Sequence, residues 1–387
     1  MPVDPPCRAT LVDDEAALPA LLARLDALAA DPVSLDTEAD SFHHYFEKVC
    51  LVQVAVAGEI FLVDPLSAVP LAPLLERLAS RRLLMHGADY DLRLLYRLEG
   101  FRAGTLFDTM IAAQLLGERE VGLSALLQNR LGVALDKAHQ RADWSARPLP
   151  SGLVAYAAAD VAHLPALVAS LERDLAERGR LAWHGEECAR LAAAPFPRER
   201  ETDPETDWRI KGTNALPSKE RAFVRAFWSV REARARALDL PPFRVLTNER
   251  LLAAARLAAG GESDLLKLFP GPRPLPGALA TEIRRAIDAT RRLPPSEWPA
   301  PRRADSVEAD PELDRAVERL KAERDRKARE LGLDPGVLAS RAVLTAAARA
   351  LLGERPSTPE RLAASAGISL WRAGLLAGGA GALRTSG

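Results

Sequence analysis

VSLDTE (33–38), CLVQVAVA (50–57) and EIFLVD (59–64) are three neighbouring stretches that decide the fold of the first half of the chain. The first alternates apolar and polar residues, and the other two flank a turn at Gly58. Alternation and short apolar runs bounded by turn residues are typical of β-strands. We therefore expect a meander of three strands, with a further short buried strand at RLLMHG (82–87).

Helical patterns lie between and after these strands. Apolar residues recur at helical spacing over LAPLLERLAS (71–80), DYDLRLLYRL (89–98), DTMIAAQLLG (108–117) and residues 151–179. Strands that alternate with helices predict an α/β domain, a mixed sheet flanked by helices, over residues 1–195.

The second half of the chain is predicted to be helical. FPRERETDPETD (196–207) is polar, contains proline and has no periodicity, so we interpret it as a linker. Residues 208–293 show helical periodicities broken by Pro241 and Pro242, which predict a compact all-helical domain. After another proline-rich break, helical patterns over 304–380 predict a second small all-helical domain.

Composition and charge exclude several classes of protein. Of the 387 residues, 48% are hydrophobic and 27% charged, which is the balance of a folded globular protein and not of a disordered one. The net charge of -1 conceals a balance of -9 over residues 1–195 and +8 over residues 196–387. A basic half is typical of nucleic-acid binding, although an arginine-rich solvated helical surface has the same balance.

Cysteine usage and hydropathy bear on location. Cys7, Cys50 and Cys188 are far apart and form no C-x-x-C pair, so neither a disulfide framework nor a cysteine zinc site is predicted. A reducing cytoplasm is therefore expected. The first residues lack the apolar segment of a signal peptide, and each apolar run is interrupted well before about 18 residues, so no membrane contact is expected.

Two carboxylates project from one face of the first strand. Strand alternation places Asp36 and Glu38 side by side, on the face opposite Leu35 and Thr37. Adjacent carboxylates repel each other unless a divalent cation neutralises them, although a solvated strand edge carries the same pattern.

Further acids follow downstream. Asp91 stands at the start of a helix directly after a buried strand, and Tyr156 and Asp160, four residues apart, share one face of a later helix. Hard cations such as Mg²⁺ and Mn²⁺ take oxygen ligands, and two of them clamp the attacking and leaving oxygens of a phosphodiester during hydrolysis. A nearby phenol orients the attacking water by hydrogen bonding. These residue types together indicate a metal-dependent hydrolytic site.

These motifs resemble those of the DEDD superfamily of 3′-5′ exonucleases, which has an RNase H-like fold, and within it the ribonuclease D family. In family order across residues 30–165 stand LDTEADSFHHY, HGADYDL, FDTMIAAQLLG, LDKAHQRADWSARPL and the final Y-x-x-x-D. Tyr156, four residues before the last aspartate, matches the DEDDy branch; the other branch has histidine where this chain has Ala155. Residues 208–293 are similar to the HRDC domain, and residues 304–380 to the second, degenerate HRDC-type domain of bacterial members.

The resemblance implies a role for each matching residue. Asp36, Glu38 and Asp160 would hold the metal that activates water. Asp36 would bridge to a second Mg²⁺ or Mn²⁺, Asp91 would complete that second site, and Tyr156 would position the nucleophile. The implied activity is 3′ trimming of structured RNAs, such as tRNA precursors, by a monomeric exoribonuclease. A 3′-5′ DNA exonuclease of repair and a non-catalytic RNA-binding scaffold are the alternatives.

Several residues are candidates for substrate contacts. LDKAHQRADWSARPL mixes cations with an aromatic residue, as single-stranded nucleic acid requires for phosphate contact and base stacking. The candidates are Lys137, Arg141, Trp144 and Arg147 in this segment, with Tyr45 and Gln53 near the D-x-E motif for the 3′-end pocket. Packing of Trp144 against the domain, and core or sheet roles for Tyr45 and Gln53, are the alternatives. Asp108 is interpreted as a helix N-cap.

Overall fold

The structure of the chain is a computed structural model that describes most of its length. The described residues are 9–136, 139–197, 203–271, 274–301, 310–353 and 358–384. They form two compact units, one of residues 9–39, 49–197 and 310–384 and the other of residues 40–48 and 203–301. The connection between the first two strands of the predicted meander therefore belongs to the second unit.

The first unit is built on a six-stranded mixed sheet. The strands are β1 (Ala9–Val12), β2 (Val33–Ala39), β3 (Val49–Val56), β4 (Glu59–Val63), β5 (Arg82–Met85) and β6 (Thr105–Asp108). They lie in the order β1-β4-β3-β2-β5-β6. The pairs β2–β3 and β3–β4 are antiparallel, which confirms the predicted meander. The sequence does not predict β1 and β6, because each is a four-residue strand at an edge of the sheet, with a single parallel partner reached through a crossover.

Helices cover both faces of this sheet. They are α1 (Leu18–Ala27), α2 (Ala72–Ala79), α3 (Asp89–Glu99), α4 (Thr109–Leu116), α5 (Leu123–Leu131), α6 (Ser151–Ala162), α7 (Leu164–Glu177) and α8 (Leu181–Ala192). Leu35 and Val54 lie in the core that α1, α2 and α3 form on one face. Leu51 and Ala55 lie in the core under α6 on the other face.

The apolar stretch 151–179, predicted as one helix, is divided into α6 and α7 at His163, where a proline in the first turn of α7 starts a new helix. By length and composition, Ser151–Glu177 is apolar enough to cross a membrane. Its apolar residues nevertheless lie in protein cores, for example Val161 of α6 and Leu167 of α7. Since core helices meet the same criteria, the expected absence of membrane contact stays a prediction.

The second unit is helical apart from the connection 40–48. Its helices are α9 (Ser218–Leu238), α10 (Pro242–Val245), α11 (Asn248–Ala259), α12 (Leu265–Leu268) and α13 (Gly277–Arg292). They enclose a core that contains Phe223, Phe227 and Trp208. The all-helical prediction for 208–293 agrees with this structure, and the HRDC assignment stays a prediction.

The helices after residue 310 return to the first unit. They are α14 (Pro311–Leu331), α15 (Pro335–Leu338), α16 (Arg341–Gly353), α17 (Pro359–Ala366) and α18 (Leu370–Arg384). They have a core of their own around Leu320 and Leu344. Leu333 and Trp371 also enter the core of α4, α5 and α7, and Trp371 stacks on Trp183 of α8 with ring centroids 4.8 Å apart. These helices, predicted as a small domain over 304–380, are therefore joined to the α/β domain by a packed interface.

Candidate active site

Three carboxylates converge between β2 and α6. One oxygen each from Asp36, Glu38 and Asp160 lies within 4.8 Å of the other two. Asp36 and Glu38 are two residues apart on β2, so the strand presents both on the face that α6 covers. The helix buries Ala157 and Ala158 against the sheet, and these small side chains let its backbone come close enough to bring Asp160 to the strand acids.

The fourth predicted acid, Asp91, lies beside this cluster in the first turn of α3 and is 6% exposed. Its Oδ1 accepts hydrogen bonds from the Thr37 backbone N–H, at 3.1 Å, and from the Thr37 hydroxyl. Strand β5 runs beside β2 only at Val33 and Ser34. Beyond that point the Asp91 carboxylate, in place of a neighbouring strand, accepts the hydrogen bond of the Thr37 backbone N–H.

Burial raises the pKa of all four acids, and repulsion from the other acids adds to the shift for Asp36 and Glu38. Burial raises the pKa of Glu38 to about 9, and repulsion from Asp160 and Asp91 adds to this shift. Burial also raises the pKa of Asp91 and of Asp160 to about 7, against the hydrogen bonds that each accepts. The pKa of Asp36 lies well above its ordinary value because the carboxyl is buried and the other three acids repel its charge. Such a set of oxygen donors fits hard divalent cations, whose charge reverses this repulsion.

Tyr156 lies one turn before Asp160 on α6 and donates a hydrogen bond to its carboxylate. Burial raises the pKa of the phenol well above its ordinary value, so the hydroxyl stays protonated at neutral pH. His139 lies edge-on to the Tyr156 ring, with centroids 5.9 Å apart. His139 belongs to no predicted site, and in the sequence only its place within LDKAHQRADWSARPL points to it.

The structure contradicts three of the predicted substrate contacts. The Trp144 ring is 1% exposed and lies in the core under α6, so a base stacking on it is excluded in this conformation. Arg147 donates through Nε and Nη2 to the Asp64 carboxylate at 2.5 and 2.7 Å, and through Nη2 to the Cys50 carbonyl. It therefore fastens its segment to β3 and to the end of β4. Gln53 is fully buried on β3, where it cannot touch substrate directly.

The other predicted substrate contacts stay predictions. Lys137 lies outside the described residues, and Arg141 is exposed on the same segment. Tyr45 belongs to the second unit, where its hydroxyl donates to Glu232 at 3.4 Å and the Arg236 guanidinium lies over its ring.

Asp108 is confirmed as a helix N-cap, and it has a further structural role. Its carboxylate accepts the backbone N–H groups of Met110 and Ile111 in the first turn of α4. The same carboxylate accepts the N–H groups of Gly87 and Ala88, at 3.1 and 2.8 Å, in the turn that leads into α3. One buried acid thus ties two helix starts together, including the helix that carries Asp91.

Known proteins identify the class to which this fold and site belong. The family model of the 3′-5′ exonuclease domain matches residues 9–176, which contain all four acids and Tyr156. The α/β domain is therefore a 3′-5′ exonuclease domain, and the predicted RNase H-like fold is confirmed. Exonucleases of this family depend on divalent metal ions.

Closer relatives narrow the class to one family. The ribonuclease D of Acidiphilium cryptum is 33% identical over 318 residues, 79% of each chain. That of Xanthomonas oryzae pv. oryzae is 34% identical over 323 residues, 82% of this chain and 86% of the relative. The chain belongs to the ribonuclease D family, whose members are 3′-5′ exoribonucleases.

A solved structure agrees with this assignment over nearly the whole chain. Escherichia coli ribonuclease D, described as an exoribonuclease involved in structured RNA processing, matches with a TM-score of 0.68 and 25% identity. The match covers 97% of this chain and 98% of that one, so the helical regions after the exonuclease domain are included.

Proposed function

We propose that the four acids bind two divalent cations, Mg²⁺ or Mn²⁺, and that the protein hydrolyses the last phosphodiester of an RNA 3′ end. Asp36, Glu38 and Asp160 would hold one cation, and Asp36 and Asp91 would hold the second. The observation that carries the proposal is the approach of the Asp36, Glu38 and Asp160 carboxylates to within 4.8 Å of one another. Without a counter-charge this arrangement destabilises the fold, so its presence favours a bound cation.

Cations held by these acids would supply positive charge at the scissile phosphate and lower the pKa of the attacking water. The protonated Tyr156 hydroxyl, held beside Asp160, orients that water toward phosphorus by hydrogen bonding. Attack breaks the bond between phosphorus and the O3′ of the preceding nucleotide, and the water's proton passes to O3′. The products are a nucleoside 5′-monophosphate and an RNA shortened by one residue.

The proposed substrates are structured RNAs with single-stranded 3′ tails, among them tRNA precursors. The E. coli relative is described as acting in structured RNA processing. The +8 balance of residues 196–387 supports contact between the helical regions, proposed as HRDC-type modules, and RNA phosphates. Arg141 and Tyr45 are the proposed substrate contacts. We propose a monomer in the cytoplasm, which is consistent with the free thiol of Cys188.

The test is a time course on one 5′-labelled stem-loop with a 3′ tail, prepared as RNA and as DNA. We expect a ladder that shortens from the 3′ end on RNA, needs Mg²⁺ or Mn²⁺ and stops with chelator. Preferential cleavage of DNA would assign the protein to repair, and binding without cleavage would favour a scaffold. Asp36→Ala and Asp160→Ala are expected to abolish hydrolysis and keep RNA binding.

Asp91 has a matched control in the same turn of α3. Asp89 is also acidic, but its side chain is 58% exposed and pairs with Arg93. We expect Asp91→Asn to lower kcat by at least about 100-fold, since metal-site residues contribute several kcal/mol to catalysis, and Asp89→Asn to leave kcat unchanged. Equal activity of the two variants would remove Asp91 from the site.

A further inference from the structure

Gln53 lies directly opposite Asp36 in the antiparallel pair of β2 and β3. Residues directly opposite on antiparallel strands project to the same face, with Cβ atoms about 5 Å apart. The neighbours of Gln53 on that face of β3, Leu51 and Ala55, are apolar and pack in the core under α6. A single amide therefore stands in an apolar row, at the position next to a proposed metal ligand.

This amide is buried without hydrogen bonds. Gln53 is fully buried, and among the residues that the structure describes neither Oε1 nor Nε2 has a hydrogen-bond partner. A buried donor or acceptor without a partner destabilises a fold by about 1–3 kcal/mol. Leucine or methionine would fill the same space without this cost. The fold thus carries a destabilising residue opposite Asp36, which is typical of a functional position.

We infer that Gln53 is a positioning residue for Asp36: its amide N–H orients the Asp36 carboxylate when that carboxylate binds a cation. A carboxylate that holds a metal with one oxygen presents further lone pairs, and outer-shell hydrogen-bond donors to ligating carboxylates commonly fix their direction. Gln53 is the buried amide nearest in register to Asp36, one strand away on the same face. The inference rests on the proposed metal site, and it replaces the predicted contact between Gln53 and substrate.

The test compares Gln53→Met with Ser34→Ala in the full chain. Ser34 lies on the same face of β2, opposite Ala55, and its hydroxyl is also buried without a partner among the described residues. Two quantities are measured for each protein: the Kd for Mn²⁺ by titration calorimetry, and the melting temperature in chelator. Gln53→Leu serves as a second variant if the methionine variant does not fold.

We expect Gln53→Met to raise the Kd for Mn²⁺ by about 10- to 100-fold, as loss of outer-shell partners does in other sites. Its melting temperature in chelator is expected to equal or exceed that of the wild type, because an orphaned amide has been removed. Ser34→Ala is also expected to have a melting temperature in chelator equal to or above that of the wild type, but its Kd for Mn²⁺ is expected to be unchanged.

Three results would overturn the inference. A Mn²⁺ affinity of the Gln53 variants equal to that of the wild type would show that Gln53 does not act on Asp36. An equal loss of Mn²⁺ affinity in Ser34→Ala would show that any change on this face of the sheet weakens Mn²⁺ binding, and that Gln53 has no specific role. Wild-type protein that binds no Mn²⁺ would refute the proposed metal site itself, which distinguishes failure of that proposal from failure of this inference.

Discussion

Asp160→Asn is expected to stabilise the metal-free protein at alkaline pH. Burial raises the pKa of Asp160 from 3.8 to about 7. Between these values the folded protein keeps a proton that the unfolded chain loses, so the free energy of unfolding falls as pH rises through this window. A difference of one in pKa corresponds to about 1.36 kcal/mol, so the loss reaches about 4 kcal/mol at pH 8. Asparagine has no charge to lose and still accepts the hydrogen bond from Tyr156.

The assay is thermal unfolding in chelator at pH 4 and pH 8. The variant and the wild type are expected to be equally stable at pH 4. At pH 8 the variant is expected to melt roughly 10 °C higher, since 1 kcal/mol shifts the melting temperature of a domain of this size by about 2–4 °C. Mg²⁺ is expected to raise the melting temperature of the wild type and to leave that of the variant nearly unchanged.

Asp89→Asn is the matched control, because its carboxylate is exposed and its pairing with Arg93 contributes less than about 1 kcal/mol. Equal melting temperatures of Asp160→Asn and the wild type at pH 8 in chelator would refute a raised pKa of Asp160. An equally large advantage of the variant at pH 4 would also refute it, because a change in packing, unlike a change in ionisation, does not depend on pH.

Two further predictions concern stability, each with a control of the same type. Asp64→Asn is expected to cost about 3 kcal/mol at pH 7, because Asp64 is buried and its loss of charge leaves the Arg147 guanidinium without its carboxylate. Asp26→Asn, in the exposed pair with Arg77, is expected to have a much smaller effect. Gly117→Ala is expected to cost at least about 2 kcal/mol more than Gly132→Ala. Both glycines have positive φ, but only at Gly117 would a Cβ overlap a backbone carbonyl. Denaturant unfolding measures both pairs, and equal effects within either pair would contradict the argument.

Local patterns predict the part of the fold and site that neighbouring residues form. The meander of β2, β3 and β4 follows from alternation and a short turn, so each strand finds its partner within a few residues. Tyr156 and Asp160 share a face because any helix brings residues four apart together. Asp36, Glu38 and Asp160 converge, as the order of the motifs predicts, because the same order of motifs occurs in a family with this fold.

Contacts between distant parts of the chain explain the predictions that fail. Trp144 stands among cations in the sequence, but whether it is exposed depends on the sheet and the helix α6 that enclose it. Arg147 pairs with Asp64, which lies 83 residues away, so the sequence shows a positive charge and not its partner. The helices after residue 310 show their own periodicity, whereas their interface with α8 through Trp371 depends on the assembled fold.

The sequence by itself therefore determined the class of fold, the three acids Asp36, Glu38 and Asp160 that converge, and the helical character of the second half. These properties can be predicted from short-range periodicity and from the order of the motifs. Only the tertiary structure decided which polar residues are exposed to a substrate and which are enclosed, as with Trp144 and Gln53. It also decided that the buried Gln53 lies opposite Asp36 in the strand register, because register between strands and burial under a helix are set by packing between segments that are separate in the chain.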